Sequence, residues 1–394
     1  MKRKRYVISG IGLATPAGCS FEALYHNFYE GKQLFQSSKI FADESQLYPV
    51  SRVDDQMLDH GLSIRQLKKL DRFTILSLAA TRRALEDADI DVNSEACKGI
   101  GIVVGNCTAG WKYVEPMMYQ LYTEGMEAIN SYVATAWFPA APQGEASILY
   151  GLGGYSKTVS ADRLSSGLAL AQSLKVLDSG HVDLMLAGGA ESPFSSLVYN
   201  AFLQSERLSP SGKYQPFSNN ADGSLLGEGA VFLAVEAIDR AGDRGIKPHA
   251  EILAVSHGTS LADAMYNCLR NAGLTAEAVD YIVLDAAGDL ALDEAEYAAI
   301  AEVFAANPQI CISAPKSFYG ELLGANVAAS IAIGCLSLEK QIVFPTAGTS
   351  NTIKSSPVGK HIVERPEPTV LHHVLINSRD SQGSPIAVLL GKVC

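Results

Sequence analysis

A series of short apolar runs, continuous rather than alternating, constrains the fold more than any other feature of the chain. They lie at Tyr6–Gly10, Ile100–Gly105, Leu184–Gly188, Ala230–Glu236, Tyr281–Asp285, Ile310–Ser313 and Ile386–Leu390. Runs of this length and character predict strands buried on both faces. Helical periodicity separates them, at Leu67–Ala88, Ser165–Leu177, Leu261–Ala272, Leu292–Phe304 and Gly324–Leu338. In the first, Leu67, Leu70, Phe73, Leu76, Ala80 and Leu85 fall on one face. The alternation predicts an α/β protein whose helices cover a sheet.

At 394 residues the chain exceeds the usual single domain, so fusion of two similar halves is expected. No long Gly/Ser or Pro linker divides it, and Glu364-Arg365-Pro366-Glu367-Pro368 reads as a surface loop. A hydrophobic content of 47% against 19% charged residues predicts a large core. The net charge of −11 argues against a nucleic-acid surface. Lys2-Arg3-Lys4-Arg5 reads as a solvated lead into the first strand. The cysteines (Cys19, Cys97, Cys107, Cys268, Cys311, Cys335, Cys394) form no Cys-x-x-Cys pair, against a disulfide framework or a zinc site. The N-terminus lacks a signal-peptide pattern, and the apolar helix candidate around Ala325–Leu338 is too short to span a bilayer. The expectation is a cytoplasmic protein with no membrane, nucleic-acid, metal or cofactor partner.

Specific motifs then recur in order. Tyr6 to Pro16 reads as an opening strand and turn; Leu70-Asp71-Arg72-Phe73 and Ala84-Leu85-Glu86-Asp87-Ala88 mark a long helix. Lys157 to Gly167 leads through Ser165-Ser166-Gly167 into a helix and the strand Leu184 to Glu191, with its Gly188-Gly189. Gly223 to Gly229 forms a glycine loop, architectural because Ala230–Glu236 follows it as a strand rather than a helix. Asp280-Tyr281-Ile282 with Asp293 and Glu296, then Lys316-Ser317, Gly320 and Leu322-Leu323-Gly324-Ala325, complete the series. Together these resemble the β-ketoacyl-acyl-carrier-protein synthases of the thiolase superfamily over nearly the whole chain. The resemblance implies a thiolase-type fold, a five-layered αβαβα sandwich of two similar halves, 1–240 and 241–394, meeting near Ala241 to Pro248.

The chain departs from that family where its chemistry lies. Counted without gaps from either flank, the family's nucleophilic Cys falls on Arg163; sliding Ser-Ser-Gly by one puts it on Leu164. The two family histidines fall on Asp285 and Glu321, and the Gly-Phe-Gly-Gly-Thr gating loop becomes Asp380-Ser381-Gln382-Gly383-Ser384. Decarboxylative condensation needs a thiolate near a helix N-terminus and neutral imidazoles facing the developing oxyanion. Arg163 supplies neither nucleophile nor base, and ionised Asp285 and Glu321 repel an oxyanion. No catalytic residue is expected. A cation at a helix N-terminus needs a counter-charge, so Arg163, Asp285 and Glu321 are predicted to form an ionic cluster plugging the old site. The alternative is that these side chains drifted to solvent or to unrelated partners. Lys316 and Glu296 match the family, where they resemble a pair bracing the site's loops, and Ser381 is placed beside it.

Other chemistries find less support. His257-Gly258-Thr259 spells the family's His-Gly-Thr, yet lies well upstream of the register that Asp285 fills. His372-His373 has no Cys or carboxylate at ligand spacing and reads as strand-borne packing. Ser165 with Asp285 and a histidine could make a hydrolase triad, but no Gly-x-Ser-x-Gly elbow is present. Asp285 with Glu321 as a glycosidase pair has no sugar-cleft pattern beside it.

The family resemblance also implies a dimer, in which Asn106 to Pro142 crosses the interface and reaches the neighbour's acyl tunnel. This region holds Trp111, Tyr113, Met117, Met118, Tyr119, Tyr122, Tyr132, Trp137 and Phe138, a composition suited to an interface or to plain core. Thr108, Trp111, Val133 and Trp137 are the candidate tunnel-floor residues. The expectation is a chain-length-factor-like subunit in polyketide, aryl-polyene or fatty-acid-like elongation, paired with an active ketosynthase and meeting acyl carrier protein transiently. Two alternatives stay open: an active synthase or malonyl-carrier decarboxylase with unusual residues, and a homodimeric acyl-binding scaffold.

Overall fold

The computed structural model describes residues 4–42, 45–58, 60–349 and 359–393, so Lys2, Arg3 and Cys394 lie outside it. Eleven strands hydrogen-bond edge to edge. In chain order they are β1 Tyr6–Ala14, β2 Ile100–Gly105, β3 Ser156–Val159, β4 Leu184–Glu191, β5 Gly229–Ala237, β6 Ala250–His257, β7 Tyr281–Val283, β8 Cys311–Ser313, β9 Lys360–His361, β10 His373–Arg379 and β11 Pro385–Gly391. Their spatial order is β9-β8-β7-β10-β11-β6-β1-β5-β4-β2-β3. The order contains a repeat. In the first half β2 pairs parallel with β3 and β4, then β4–β5 and β5–β1 are antiparallel. In the second, β7 pairs parallel with β8 and β10, then β10–β11 and β11–β6 are antiparallel. The β1–β6 pairing joins the two.

Alternate residues of each strand enter different cores, as a period of two requires. The main helices are α1 Arg72–Asp87, α2 Trp111–Glu124, α3 Ala141–Tyr150, α4 Ser165–Ser179, α5 Leu261–Ala272, α6 Leu290–Phe304 and α7 Asn326–Lys340. Leu184 and Leu186 of β4 face α1 and α3, whereas Met185 and Ala187 share a core with α4 and α7. Ile282 and Leu375 of the second half pack with α5 and α6, whereas Val283 and Ile376 join that same α4/α7 core. Three of the cores, those against the two strand sets, produce five layers, α1/α3, sheet, α4/α7, sheet and α5/α6, and a smaller one around Phe194 and Tyr199 lies apart. Every residue of α7 from Asn326 to Leu338 is buried, which explains its apolar, unamphipathic sequence. Among the described residues no helix is long and apolar enough to cross a membrane.

Several boundaries differ from the sequence reading, each for a local reason. The helix expected from Leu67 starts at Arg72, because Asp71 caps it by accepting Phe73 N–H at 3.0 Å. A separate single turn, Ile64–Leu67, precedes it with its own Ser63/Gln66 capping box. The strand β7 stops at Val283, since Asp285 N–H turns to the Glu296 carboxylate at 2.8 Å. Glu364 to Pro368 is not wholly loop: Glu367–Pro368 pairs with Ile342–Val343. From the basic start, Arg5 bonds Glu251 through both carboxylate oxygens, at 2.8 and 2.5 Å.

His361 ends β9 in a closed setting, its ring between Tyr297 Oη at 2.5 Å and Thr346 Oγ1 at 2.8 Å. Burial lowers its pKa to about 4 from the ordinary 6.5. The neutral ring is therefore the folded form, and its contribution is full above pH 6.5 and lost as pH falls toward 4. The size is roughly 3 kcal/mol. Urea midpoints at pH 7 and 4.5 should fall more steeply for the parent than for His361→Gln; equal slopes would refute this assignment.

Candidate functional site

The ends of the strand sets converge on a cavity of about 160 Å³, whose walls include Asp162, Arg163, Asp285, Glu321, Arg379 and Ser381. Asp162 and Arg163 form the bend just before α4; Asp285 follows β7, Arg379 closes β10, and Glu321 follows the 3-10 turn Pro315–Phe318. The bend itself is strained. Asp162 holds φ 50, a left-handed backbone that aspartate tolerates better than most residues. Ser165 locks it: its Oγ donates to Asp162 O at 2.6 Å and accepts from Ala161 N–H at 2.9 Å. This backbone role, with Ser165 fully buried, leaves no hydrolase nucleophile there.

Arg163 reaches into the cavity, its Nη1 3.3 Å from Glu321 Oε2. Lys316 Nζ donates to the same oxygen at 3.1 Å. Glu321 Oε1 is buried without a hydrogen-bond partner among the described residues, so one carboxylate oxygen carries both cations. Leu164 instead enters the α4/α7 core, so that alternative faces away from the cavity. Burial works against the Arg163 cation, but Glu321, Asp285 and Asp162 hold its pKa above the ordinary arginine value.

Asp285 has a direct partner that the sequence reading missed. Arg379 Nε donates to Asp285 Oδ2 at 3.2 Å, and Arg379 N–H to Oδ1, also at 3.2 Å. Burial favours the neutral acid, yet Arg163, Lys316 and Arg379 together hold the Asp285 pKa below its usual value. Arg163 thus acts on Asp285 through its field, while Arg379 makes the contact. The expected Lys316–Glu296 pair is replaced. Lys316 bonds Glu321, whereas Glu296 accepts the N–H groups of Asp285 and Ala286 at 2.8 and 3.0 Å and lies 3.6 Å from Arg379 Nη2. The reason is geometric: Glu296 faces inward from α6 to cap the bend after β7, and Glu321 lies nearer to Lys316 in sequence and space.

Ser381 sits on the tight turn between β10 and β11, which Asp380 ties by accepting Gln382 and Ser384 N–H at 2.9 and 2.7 Å. Its N–H donates to Asp162 Oδ2 at 2.8 Å, bridging the two halves over the cavity. Cys107 lies on the other side, with Sγ 3.8 Å from Asp162 Oδ1. Burial, then Glu191 and Asp162, push its thiol far above the ordinary range, so it stays protonated and a poor nucleophile. Asp162 and Cys107 had no sequence signal, because counting from the motif pointed one residue further on.

The tunnel candidates scatter. Thr108 is drawn inward, its Oγ1 2.5 Å from the buried Glu191. Trp111 and Trp137 pack edge to face at 6.0 Å, and Trp137 is 43% exposed in the lone chain. Val133 begins the short helix Val133–Trp137 and is half-buried. Around them Tyr119, Tyr122, Met126 and Phe138 project to solvent. His257 ends β6 at the surface, and His373 begins β10 with Nδ1 2.7 Å from Ala278 O. Among the described residues no three His, Cys, Asp or Glu groups are arranged to hold a metal ion.

The duplicated sheet, the two central helices and the cavity at their N-terminal ends define a thiolase-like condensing-enzyme scaffold. Residues 3–241 match the β-ketoacyl synthase N-terminal domain and residues 245–350 its C-terminal domain, so the chain belongs to the β-ketoacyl synthase family. It is 30% identical over 363 residues to the tetracenomycin polyketide synthase ketoacyl synthase beta subunit of Streptomyces glaucescens, covering 87% of this chain and 88% of that protein. It is 25% identical over 364 residues to 3-oxoacyl-[acyl-carrier-protein] synthase 2 of Staphylococcus aureus strain COL, covering 88% of each. The fold superposes on the ishigamide ketosynthase/chain length factor with a TM-score of 0.90 at 23% identity, over 100% of both chains. A type II polyketide synthase acyl-carrier protein complex with its hexaketide-bound ketosynthase gives 0.86 at 20% identity, again over 100% of both chains.

Proposed function

We propose that this chain is a non-catalytic, chain-length-factor-like subunit that pairs with an active ketosynthase and shapes its acyl tunnel. Its halves, 1–240 and 241–394, supply a scaffold rather than a reaction centre. The observation that carries this reading is the occupancy of the cavity. Where condensation requires a thiolate and neutral hydrogen-bond donors, Arg163, Lys316 and Arg379 are locked against Glu321 and Asp285. A cavity walled by committed charge offers no thiolate and no free neutral donor for a developing oxyanion. Likeness to a ketoacyl synthase beta subunit supports the same reading, as does the aromatic surface formed by Tyr119, Tyr122, Trp137 and Phe138. Acyl carrier protein is then a transient partner of the complex, and polyketide or aryl-polyene elongation in the cytoplasm is the setting proposed for it.

The test uses the isolated chain and the chain co-produced with an intact Cys/His/His ketosynthase, the one encoded nearest to it in its genome. Alone, with acyl- and malonyl-carrier protein, intact-mass spectra should show no acyl adduct, at Cys107 or elsewhere, and no decarboxylation. Together, the two proteins should co-purify and elongate. Turnover or acylation by the isolated chain would establish the active-enzyme alternative, and stable self-pairing in the companion's presence the homodimeric scaffold.

A further inference from the structure

A second cleft, of about 510 Å³, shares no lining residue with the cavity at Arg163. Its walls carry Arg52, Arg72 and Lys112 beside Asp54, Asp55 and Glu228. By formal count the charges balance, but their hydrogen bonds do not. Glu228 is fully committed: Oε1 accepts Val53 N–H at 3.2 Å and Arg72 Nη2 at 2.9 Å, and Oε2 accepts Ser192 Oγ at 2.8 Å. Asp55 is held by Arg72, and Asp54 caps the 3-10 turn through Gln56 N–H at 3.0 Å. Asp71, behind them, receives Phe73 and Tyr113 N–H at 3.0 and 2.7 Å. Arg72 is therefore satisfied, and the carboxylates act on the other two cations only through their fields, Glu228 on both, Asp55 on Arg52 and Asp71 on Lys112.

Arg52 and Lys112 are what remain. Among the described residues neither has a hydrogen-bond acceptor or an ion-pair partner. The Arg52 guanidinium lies over the Phe194 ring, 4.2 Å from its centroid, which fixes the plane of the fork and leaves its N–H edge without a protein acceptor. Arg52 is half-buried and Lys112 exposed, so both direct their N–H groups to the cleft rather than to a protein acceptor. Burial lowers the pKa of both groups, and Arg52 lowers that of Lys112 further.

We propose that this cleft binds a phosphate-type oxyanion, taken by the Arg52 fork and the Lys112 ammonium together. A tetrahedral anion offers separate oxygens to a planar fork and to a point charge, which a single carboxylate does less well. The volume leaves room for an organic substituent, so a phosphomonoester fits as well as the free ion. Asp54 and Asp55 at the walls disfavour a polyanion.

Thermal unfolding of the full chain at constant ionic strength tests this, with inorganic phosphate, methyl phosphate and acetate each titrated to about 10 mM against chloride. Phosphate or methyl phosphate should raise the midpoint saturably, and acetate should not. The one that half-saturates at lower concentration identifies free ion or monoester as the natural form. Arg52→Gln should raise the half-saturating concentration roughly tenfold or more, from loss of a charge-assisted bidentate contact. Lys112→Gln, at an exposed position, should weaken it in the same direction, and it carries the test if Arg52→Gln fails to fold. A rise no larger than acetate gives, or one unchanged in the variants, would overturn the proposal.

Discussion

Glu321→Ala should lose about 3–5 kcal/mol of unfolding free energy, the cost of leaving buried charge without its partner. Glu321 is 2% exposed, and one of its oxygens compensates both Arg163 and Lys316. Its removal strands two cations at once. Arg163→Met should cost clearly less, because Lys316 still neutralises Glu321 in that variant. The ordering is sharper than either magnitude, and urea midpoints at pH 7 with unchanged slope would measure it. Equal and small losses would mean that both cations are hydrated and that the plug is not one electrostatic unit.

The second large effect belongs to the surface around α2. Tyr122 is 82% exposed and Phe138 56% exposed in the lone chain, so Tyr122→Glu and Phe138→Glu should leave the fold intact. If this face meets the companion ketosynthase, each change should weaken association by about 2 kcal/mol or more, a factor near thirty, because aromatic anchors dominate such contacts. Co-purification from a strain producing both proteins reads the outcome. Trp137→Ala should lengthen the product, as a bulky wall is withdrawn, and weaken pairing less than either charged variant, because it buries no charge in the shared aromatic face. Full retention of the companion by both charged variants would place the interface elsewhere, and an unaltered product profile would remove Trp137 from the tunnel.

Much of the scaffold could be read without coordinates because its strands are buried on both faces. Continuous runs such as Ile100–Gly105 leave little ambiguity, and that strand has the expected bounds. His372-His373 reads as strand-borne, yet β10 is absent from the apolar runs because it opens on His373 and closes on Asn377-Ser378-Arg379, polar residues of which Ser378 and Arg379 serve the cavity. The same cause hid Arg379. A motif aligned to histidines and a thiol draws attention to positions, whereas the charge that Asp285 required came from a neighbouring strand. Helix starts were lost where a single cap decides them, as at Asp71. At the bend before α4, counting residues identified Arg163, but only backbone geometry showed that Asp162 takes the strained conformation and receives Ser381 N–H.

The uncovered aromatic face also bears on how such a chain must be made. A protein that leaves Tyr119, Tyr122, Met126 and Phe138 to water is self-adhesive when it outnumbers whatever shields them. If a ketosynthase covers that face, matched synthesis of the two proteins, ideally from one message, becomes a condition of solubility as much as of activity.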